Sequence, residues 1–141
     1  MTCTAKLEPL RRTIVLKQPC PAVLVVDDEE MLRDRACMMF DEAGFEAITA
    51  SNGSEAIEAL KTKPDIGAVF TDVHMPGQPD GIELARHVRE VCPDCAIIVV
   101  SGRGVRLPDL GERVRYFNKP FEVDRVVGTM RALMGLGELA R

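Results

Sequence analysis

The 141-residue sequence lacks membrane spans, a secretion signal and a disulfide framework. No apolar run approaches the about 18 residues that a membrane span needs, and Met1 is not followed by a charged stretch and an apolar segment. The five cysteines form no even set, so we expect free thiols and a cytoplasmic protein. The shares of apolar residues (46%) and charged residues (28%) exclude a disordered or fibrous chain.

A basic excess is also missing, since the formal net charge is -4. Residues 18–102 hold 16 acidic and 6 basic side chains, whereas residues 1–17 and 103–141 are each basic. Nucleic-acid-binding domains usually carry a basic stripe, so we expect no direct nucleic-acid partner, and no membrane partner either. The acidic middle of the chain points instead to a site built from carboxylates.

Apolar, β-branched runs alternate with segments of helical periodicity over most of the chain. The runs predict five strands, at 22–26, 45–50, 66–71, 96–100 and 114–117. The periodic segments predict a helix after each of the first three strands and a last helix from Glu122 to Leu133, whereas any helix at 103–113 must be short. This alternation predicts an α/β fold with three layers, a doubly wound five-stranded parallel sheet covered by helices on both faces. Residues 1–20 are predicted to be an N-terminal extension with a short strand at 13–16.

Polar side chains follow four of the predicted strands. Asp27 and Asp28 end the first strand, Asp72 the third and Ser101 the fourth, while Lys119 comes just after the fifth. Ligands of open parallel sheets bind beyond these strand ends. Converging carboxylates repel each other unless a cation lies between them, and such oxygen ligands suit Mg²⁺. The lysine would then supply a positive charge and the serine a hydroxyl donor for the oxygens of a phosphate group, as phosphoryl transfer requires.

Four segments, in this order and each at a strand end, resemble the receiver domain of two-component response regulators. The segments are Val25-Val26-Asp27-Asp28-Glu29, residues 70–77, residues 100–103 and residues 118–121. The resemblance covers about residues 22–134 and implies the flavodoxin-like strand order 2-1-3-4-5. We therefore expect a receiver domain at 21–135 and a C-terminal tail at 136–141.

The resemblance implies a role for each acidic residue. Asp72 would accept a phosphoryl group from the phosphohistidine of a sensor histidine kinase or a histidine phosphotransfer protein. Asp27, Asp28 and Asp72 would bind Mg²⁺ as the cofactor, with the backbone carbonyl of His74 as a further ligand. The chain would be a regulatory phosphoacceptor and not an enzyme, although it would assist its own phosphorylation and dephosphorylation.

The resemblance also implies a switch. Ser101 would hydrogen-bond a phosphoryl oxygen in the active state, and Lys119 would pair with the phosphate beside a Lys119-Pro120 bond that is often cis in the family. Tyr116 falls where the family places an aromatic residue that turns inward as the hydroxyl moves. A paired movement of Ser101 and Tyr116 would convert a change of local charge into a change of surface.

The region after the fourth strand departs from the family pattern. Ser101 and Lys119 are closer in sequence than usual, and Gly104, Pro108 and Gly111 argue against a full helix between them. We expect the family's fourth helix to be truncated or replaced by an irregular loop. The standard dimer face is then in doubt, which leaves a monomer or a weak homodimer. The arginines at 103, 106, 113 and 115 form either a docking surface for a partner or a solvated loop.

Several functions compete for this sequence. The leading one is a stand-alone receiver that docks on an unknown downstream protein or acts as a phosphate sink. The alternative is a Mg²⁺-dependent, phosphatase-like hydrolase using Asp72, but similar enzymes of the haloacid dehalogenase type need a second aspartate where this chain has His74. An electron carrier of flavodoxin type needs a Ser/Thr/Gly-rich first loop, whereas residues 27–30 are all acidic. A docking module that ignores phosphorylation also stays open.

Cys92 and Cys95 have the spacing of a redox motif or half of a zinc site. A redox motif should open a helix, whereas this pair lies between a predicted helix and a strand. No second pair exists to complete a zinc site. The sequence therefore predicts a loop that carries two thiols.

Overall fold

The computed structural model describes residues 21–77, 79–102 and 104–136, and within these ranges it contains five strands and four helices. The strands are β1 (Ala22–Val26), β2 (Glu46–Ala50), β3 (Ile66–Asp72), β4 (Ala96–Ser101) and β5 (Val114–Asn118), and the helices are α1 (Glu30–Glu42), α2 (Gly53–Thr62), α3 (Gly81–Val91) and α4 (Val123–Leu133). All strand pairs are parallel, in the order β2-β1-β3-β4-β5. The predicted fold class and strand order are confirmed; the strand predicted at 13–16 lies outside the described residues.

Strand β1 is the centre of the fold because both of its faces are covered. Its five residues are each at most 1% exposed. Leu24 and Val26 pack into the core under α2 and α3, while Val23 and Val25 pack into the core under α1 and α4. Burying each such side chain contributes about 1.5–3 kcal/mol. This explains why β1 is a continuous apolar run without polar alternation, and why Asp27 emerges at a fixed point of the sheet edge.

The segments that follow the strand ends are fixed by caps. The Asn52 side chain accepts a hydrogen bond from the Glu55 backbone at the start of α2. Asp80 and Glu83 form a capping box at the start of α3, each side chain bonding to the other's backbone N–H at 2.9 Å. These caps satisfy donors that a helix leaves unpaired at its N-terminus. They hold the helix starts at the same edge as the strand ends.

Helix α3 begins in direct contact with the end of β3. The Gly81 backbone N–H donates to the Val73 carbonyl at 2.9 Å. A Cβ atom on Gly81 would lie 2.1 Å from the Asp72 carbonyl oxygen and 2.7 Å from the Val73 Cα. Only glycine therefore lets the chain return this closely past Asp72.

Residues 104–113 join β4 to β5 without a helix, as the sequence predicted. Val105, Leu107 and Leu110 pack against the core under α2 and α3 and so occupy a place where a helix would otherwise cover the sheet. The Arg89 side chain of α3 donates from Nε to the Leu110 carbonyl at 3.0 Å. The segment is irregular but anchored.

Across the described ranges, no helix is long and apolar enough to cross a membrane.

Gly81→Ala tests the contact between α3 and β3. We expect the free energy of unfolding to fall by about 2–3 kcal/mol, because the new methyl group meets backbone atoms that cannot rotate away. Gly128→Ala is the matched control, since it lies in the exposed interior of α4 with open space around it. That variant should gain about 0.5–1 kcal/mol from helix propensity. Urea denaturation of both proteins measures the difference, and equal effects would contradict the proposed contact.

Candidate functional site

The structure brings Asp72 and Lys119 together at the carboxyl edge of the sheet. Lys119 Nζ lies 2.5 Å from Asp72 Oδ2. The Asp72 side chain is 11% exposed and the lysine side chain 36% exposed, so solvent screens this ion pair only in part. The two residues come from β3 and from the end of β5, with β4 between them. The pair places a positive charge on the carboxylate that the sequence singled out as the phosphoacceptor.

The other oxygen of Asp72 is held by the backbone. The His74 N–H donates to Asp72 Oδ1 at 3.1 Å, so His74 orients the carboxylate through its main chain. With Lys119 on Oδ2, both carboxylate oxygens have a partner. The carboxylate plane is thereby fixed relative to the strand end, and its rotation would break one of two hydrogen bonds.

Asp27 and Asp28 lie at the end of β1 beside this pair. Asp27 is half-buried, and its Oδ1 accepts a hydrogen bond from the Glu29 N–H at 2.9 Å. Burial raises the pKa of Asp27; the Glu29 hydrogen bond opposes this, while the charge of Asp72 adds to it. Lys119 lowers that pKa and Asp28, which is exposed, raises it slightly. Asp27 therefore responds electrostatically to all the other charged members of the site.

The predicted convergence of carboxylates is only partly formed. Within 21–77, 79–102 and 104–136, no three His, Cys, Asp or Glu side chains lie together as a ready metal site. The sequence predicts Mg²⁺ between the carboxylates; in the structure the Lys119 ammonium partly balances their charge by its contact with Asp72. The available donors are carboxylate oxygens from Asp27, Asp28 and Asp72 and the His74 carbonyl. Such hard oxygen ligands fit Mg²⁺, which commonly takes one or two carboxylates with water.

Ser101 ends β4 between the two partners of the ion pair, but its hydroxyl points elsewhere. The residue is fully buried, and its Oγ donates to Asn118 Oδ1 at 3.5 Å. In the described part of the chain no hydrogen bond joins Ser101 to Asp72. Sequence reasoning missed Asn118, although its position beside Lys119, opposite Ser101 in the β4–β5 pairing, could have indicated it.

Tyr116 anchors the irregular segment. Its hydroxyl donates to the Pro108 carbonyl at 2.5 Å, and its ring packs on the side of the sheet that Leu107 covers. Burial raises the pKa of the Tyr116 phenol, while Arg86 opposes the shift. Among the described residues Tyr116 makes no hydrogen bond to Ser101. A coupled movement of the two residues stays a prediction.

The backbone around Lys119 sets the lysine's position. Its N–H donates to the Ser101 carbonyl at 2.8 Å, which ties the end of β5 to the end of β4. The Lys119-Pro120 peptide bond is cis, the isomer that the resemblance implies is frequent at this position. A cavity of about 360 Å³ adjoins Asp27, Asp72 and Lys119. The apolar part of its wall comes from α1, from the ends of β3 and β4, and from the loop that leads into α4: Leu32, Ala36, Met39, Phe70, Val100, Pro120, Phe121 and Val123.

Two of the four arginines near the irregular segment bind the protein's own backbone. Arg113 donates to the Asp94 carbonyl at 2.6 Å, and Arg115 donates to the Glu112 carbonyl. Arg106 is exposed, and Arg103 lies outside the described residues. The guanidinium groups of Arg113 and Arg115 thus hold the turn before β4 and the start of β5, which reduces their use as a docking surface.

Comparison with known proteins identifies a single kind of domain. A family model described as "Response regulator receiver domain" matches residues 23–131. Response regulator MprA of Mycolicibacterium vanbaalenii is 32% identical over 121 residues, an alignment covering 79% of this chain and 49% of that protein. The chain spans about a quarter to a half of the length of the curated relatives it matches.

Solved structures give the same answer for the fold. The response regulator receiver protein of Sinorhizobium medicae is 29% identical with a TM-score of 0.74, and the match covers 83% of this chain and 96% of that one. Response regulator TrrA of Thermotoga maritima, solved in complex with Mg²⁺-BeF, is 31% identical with a TM-score of 0.70, covering 79% of this chain and 97% of that one. Both structures are covered almost completely by the match, as expected for a shared domain.

Asp27→Asn tests the cost of keeping a half-buried, ionised carboxylate beside other acidic side chains. A carboxyl group whose pKa is raised by folding destabilises the protein when ionised, and this cost disappears as the pH falls below that pKa. The asparagine keeps an acceptor for the Glu29 N–H, so we expect the free energy of unfolding at about pH 7 to rise by up to about 1 kcal/mol after allowance for screening. The gain should shrink as the pH falls through the raised pKa of Asp27 and be lost at about pH 4, the ordinary pKa of an aspartate in an unfolded chain.

Urea denaturation at both pH values measures this difference. Asp65→Asn is the control, because Asp65 is exposed just before the start of β3, at the opposite edge of the sheet. A wild-type protein as stable as Asp27→Asn at neutral pH would show that the ionised Asp27 carboxylate does not destabilise the fold.

Proposed function

Because the chain belongs to the response regulator receiver domain family, we propose that Asp72 accepts a phosphoryl group from a phosphohistidine. The donor is a sensor histidine kinase or a histidine phosphotransfer protein. The observation that carries this proposal is the largely buried Asp72 carboxylate held by the Lys119 ammonium at a strand end beside two further acidic residues. A carboxylate placed there only for stability would not need a neighbourhood of like charge.

The reaction follows from the two hydrogen bonds of Asp72. A carboxylate oxygen attacks the phosphorus atom, the P–N bond to the imidazole breaks, and an acyl phosphate forms. The His74 N–H and the Lys119 ammonium fix the carboxylate for this attack, so less orientational freedom is lost in the transition state. As charge moves onto the phosphoryl oxygens, the ammonium is already within reach of them. Asp72 is restored when water removes the phosphoryl group, which makes the chain a reversible phosphoacceptor and not a turnover enzyme.

Mg²⁺ is the proposed cofactor. Asp27, Asp28, Asp72 and the His74 carbonyl would hold it, and it would neutralise charge on the phosphoryl group and the carboxylates. The similarity to TrrA, whose structure contains Mg²⁺-BeF, supports this assignment. The chain's own contribution is a set of oxygen ligands at one sheet edge and a lysine that balances their charge without the ion.

Signalling would begin at Ser101. Its hydroxyl now donates to Asn118, and a phosphoryl oxygen on Asp72 offers a stronger, charged acceptor. Movement of Ser101 would break its hydrogen bond to Asn118 and so shift the end of β5 next to Lys119. Through β5, this shift would reach Tyr116 and its hydrogen bond to the Pro108 carbonyl. The altered surface would be the irregular segment 104–113, which a downstream protein would read. We propose a cytoplasmic protein that acts as a monomer or weak homodimer, with a phosphate-sink role if no partner reads the segment.

Asp72→Ala tests the phosphoacceptor. Wild-type protein with Mg²⁺ and acetyl phosphate should gain one phosphoryl group, stable in acid and labile in base, whereas Asp72→Ala should gain none because no carboxylate is present to attack. Asp65→Asn removes an exposed carboxylate outside the site and should leave the adduct unchanged. Intact-protein mass spectrometry measures all three proteins. An adduct that persists in Asp72→Ala would exclude the proposed role.

Asp28→Asn tests the metal site. Chelation of Mg²⁺ should abolish the adduct in wild-type protein, and the variant should need about tenfold more Mg²⁺, since one lost charged ligand is expected to cost at least about 1.4 kcal/mol. Asp34→Asn removes an exposed charge from nearby α1 and should keep the wild-type Mg²⁺ dependence. Initial rates of adduct formation against Mg²⁺ concentration provide the measurement. Full phosphorylation in the presence of a chelator would contradict a metal requirement.

A further inference from the structure

Cys92 and Cys95 meet in the turn between α3 and β4. Their Sγ atoms lie 2.8 Å apart, and the Cys95 N–H donates to the Cys92 carbonyl at 3.0 Å, closing the turn. This turn precedes β4, so it lies at the amino edge of the parallel sheet, opposite the edge that carries Asp72. The two thiols therefore form a cluster separate from the proposed phosphoacceptor site.

The turn is held from two sides. Arg89 Nη1 donates to the Pro93 carbonyl at 3.1 Å, and Arg113 Nη2 donates to the Asp94 carbonyl at 2.6 Å. Each residue between the two cysteines thus has its carbonyl fixed by a guanidinium group. The thiols are brought together by a braced backbone, which lowers the entropy cost of joining them.

The two thiols differ in access. Cys92 is half-buried and forms part of the wall of an open cavity of about 350 Å³ between α2 and α3. Cys95 is 1% exposed, and its Sγ lies 3.6 Å from the Ile66 carbonyl. Burial and the neighbouring Cys92 raise the pKa of the Cys95 thiol to about 12. A small oxidant reaches Cys92 first, while Cys95 stays protonated beside it.

We propose that Cys92 and Cys95 are a modification site that hydrogen peroxide converts into a reversible intrachain disulfide. A metal at this pair lacks support, because among the described residues no third His, Cys, Asp or Glu joins the two thiols. The sequence predicted a loop that carries two thiols, because the pair does not open a helix. The structure shows instead that their sulfur atoms are in contact.

The oxidation proceeds in two balanced steps. The Cys92 thiolate attacks one peroxide oxygen, the O–O bond breaks, and Cys92 becomes a sulfenic acid while the departing hydroxide takes a proton and leaves as water. The Cys95 sulfur then attacks the Cys92 sulfur, the S–O bond breaks, and the hydroxide leaves with the Cys95 proton as a second water. The dithiol loses two electrons and the peroxide gains them. A small thiol reductant reverses the change.

Peptide mapping of the full-length protein tests the site. Trypsin releases residues 90–103, which contain only these two cysteines, and residues 36–61, which contain only Cys37. After treatment with hydrogen peroxide and alkylation without a reductant, peptide 90–103 should carry no alkyl group. Its mass should be lower than that of the reduced, unalkylated peptide by two hydrogen atoms. Dithiothreitol should restore both alkylation sites. Cys37, a half-buried thiol without a partner cysteine in the described ranges, should remain alkylatable and serves as the internal control.

Single variants separate the two roles. In Cys95→Ser, the sulfenic acid of Cys92 has no resolving thiol, so dimedone should label Cys92 in peptide 90–103. In Cys92→Ser, the buried Cys95 should stay unlabelled. Phenylarsine oxide, which needs two adjacent thiols, should block alkylation of both residues in the reduced wild-type protein and leave Cys37 reactive.

Three results would overturn the proposal. The first is a peptide 90–103 that remains fully alkylatable at peroxide concentrations that already consume Cys37. The second is oxidation that stops at sulfinic acid or yields only disulfides between chains. The third is dimedone labelling of Cys95 in Cys92→Ser that is as strong as the labelling of Cys92 in Cys95→Ser. That result would contradict the proposal that the peroxide oxidises Cys92 first and that Cys95 then resolves the sulfenic acid. Circular dichroism of both variants checks that each is folded, and phenylarsine oxide capture by the wild-type protein tests the pairing without any substitution.

Discussion

One electrostatic constraint governs the site: acidic side chains gathered at a sheet edge must share a positive charge. Two like charges about 4 Å apart repel by about 4 kcal/mol at an effective dielectric constant of 20, so an unbalanced group would oppose folding. The Lys119 ammonium on Asp72 provides the balance, while the pKa of Asp27 is raised mainly by burial and further by the charge of Asp72. The lysine lowers the electrostatic cost of the acidic group, and the carboxylates of Asp27 and Asp28 lie at the same edge of the sheet.

The rest of the fold serves that arrangement. Asp72 and Lys119 stand on strands separated by β4, so the sheet order decides their distance, and the buried β1 decides where Asp27 emerges. Gly81 allows α3 to begin against the backbone of Asp72, and the His74 N–H fixes the carboxylate. Small changes of backbone at these points would move charged groups that are held at hydrogen-bond distance. The packing of the core therefore influences the chemistry of the site by fixing the positions of its charged side chains.

The missing helix between β4 and β5 changes what the receiver can present to a partner. Residues 104–113 follow an irregular path, tied down by Arg89 on the Leu110 carbonyl and by Tyr116 on the Pro108 carbonyl. Tyr116 therefore stabilises the segment itself in addition to being the residue predicted to move. These two hydrogen bonds and the packing of Val105, Leu107 and Leu110 fix the segment, and a movement of Tyr116 would break one of the two hydrogen bonds.

The strands and helices, the sheet order and the strand-end positions of Asp27, Asp72 and Lys119 followed from the sequence, because burial on both faces forces continuous apolar runs and the family motifs stand where those runs end. The absence of a helix between β4 and β5 could also be predicted from the sequence, since two glycines and a proline disfavour a helix there. Which partner each polar atom takes was decided only by the tertiary structure. Asn118 accepts a hydrogen bond from the Ser101 hydroxyl, and the Cys92 and Cys95 sulfur atoms are in contact across a turn whose carbonyls are held by two arginines. Such pairings depend on backbone positions set by packing between residues far apart in sequence, and local patterns carry no record of those distances.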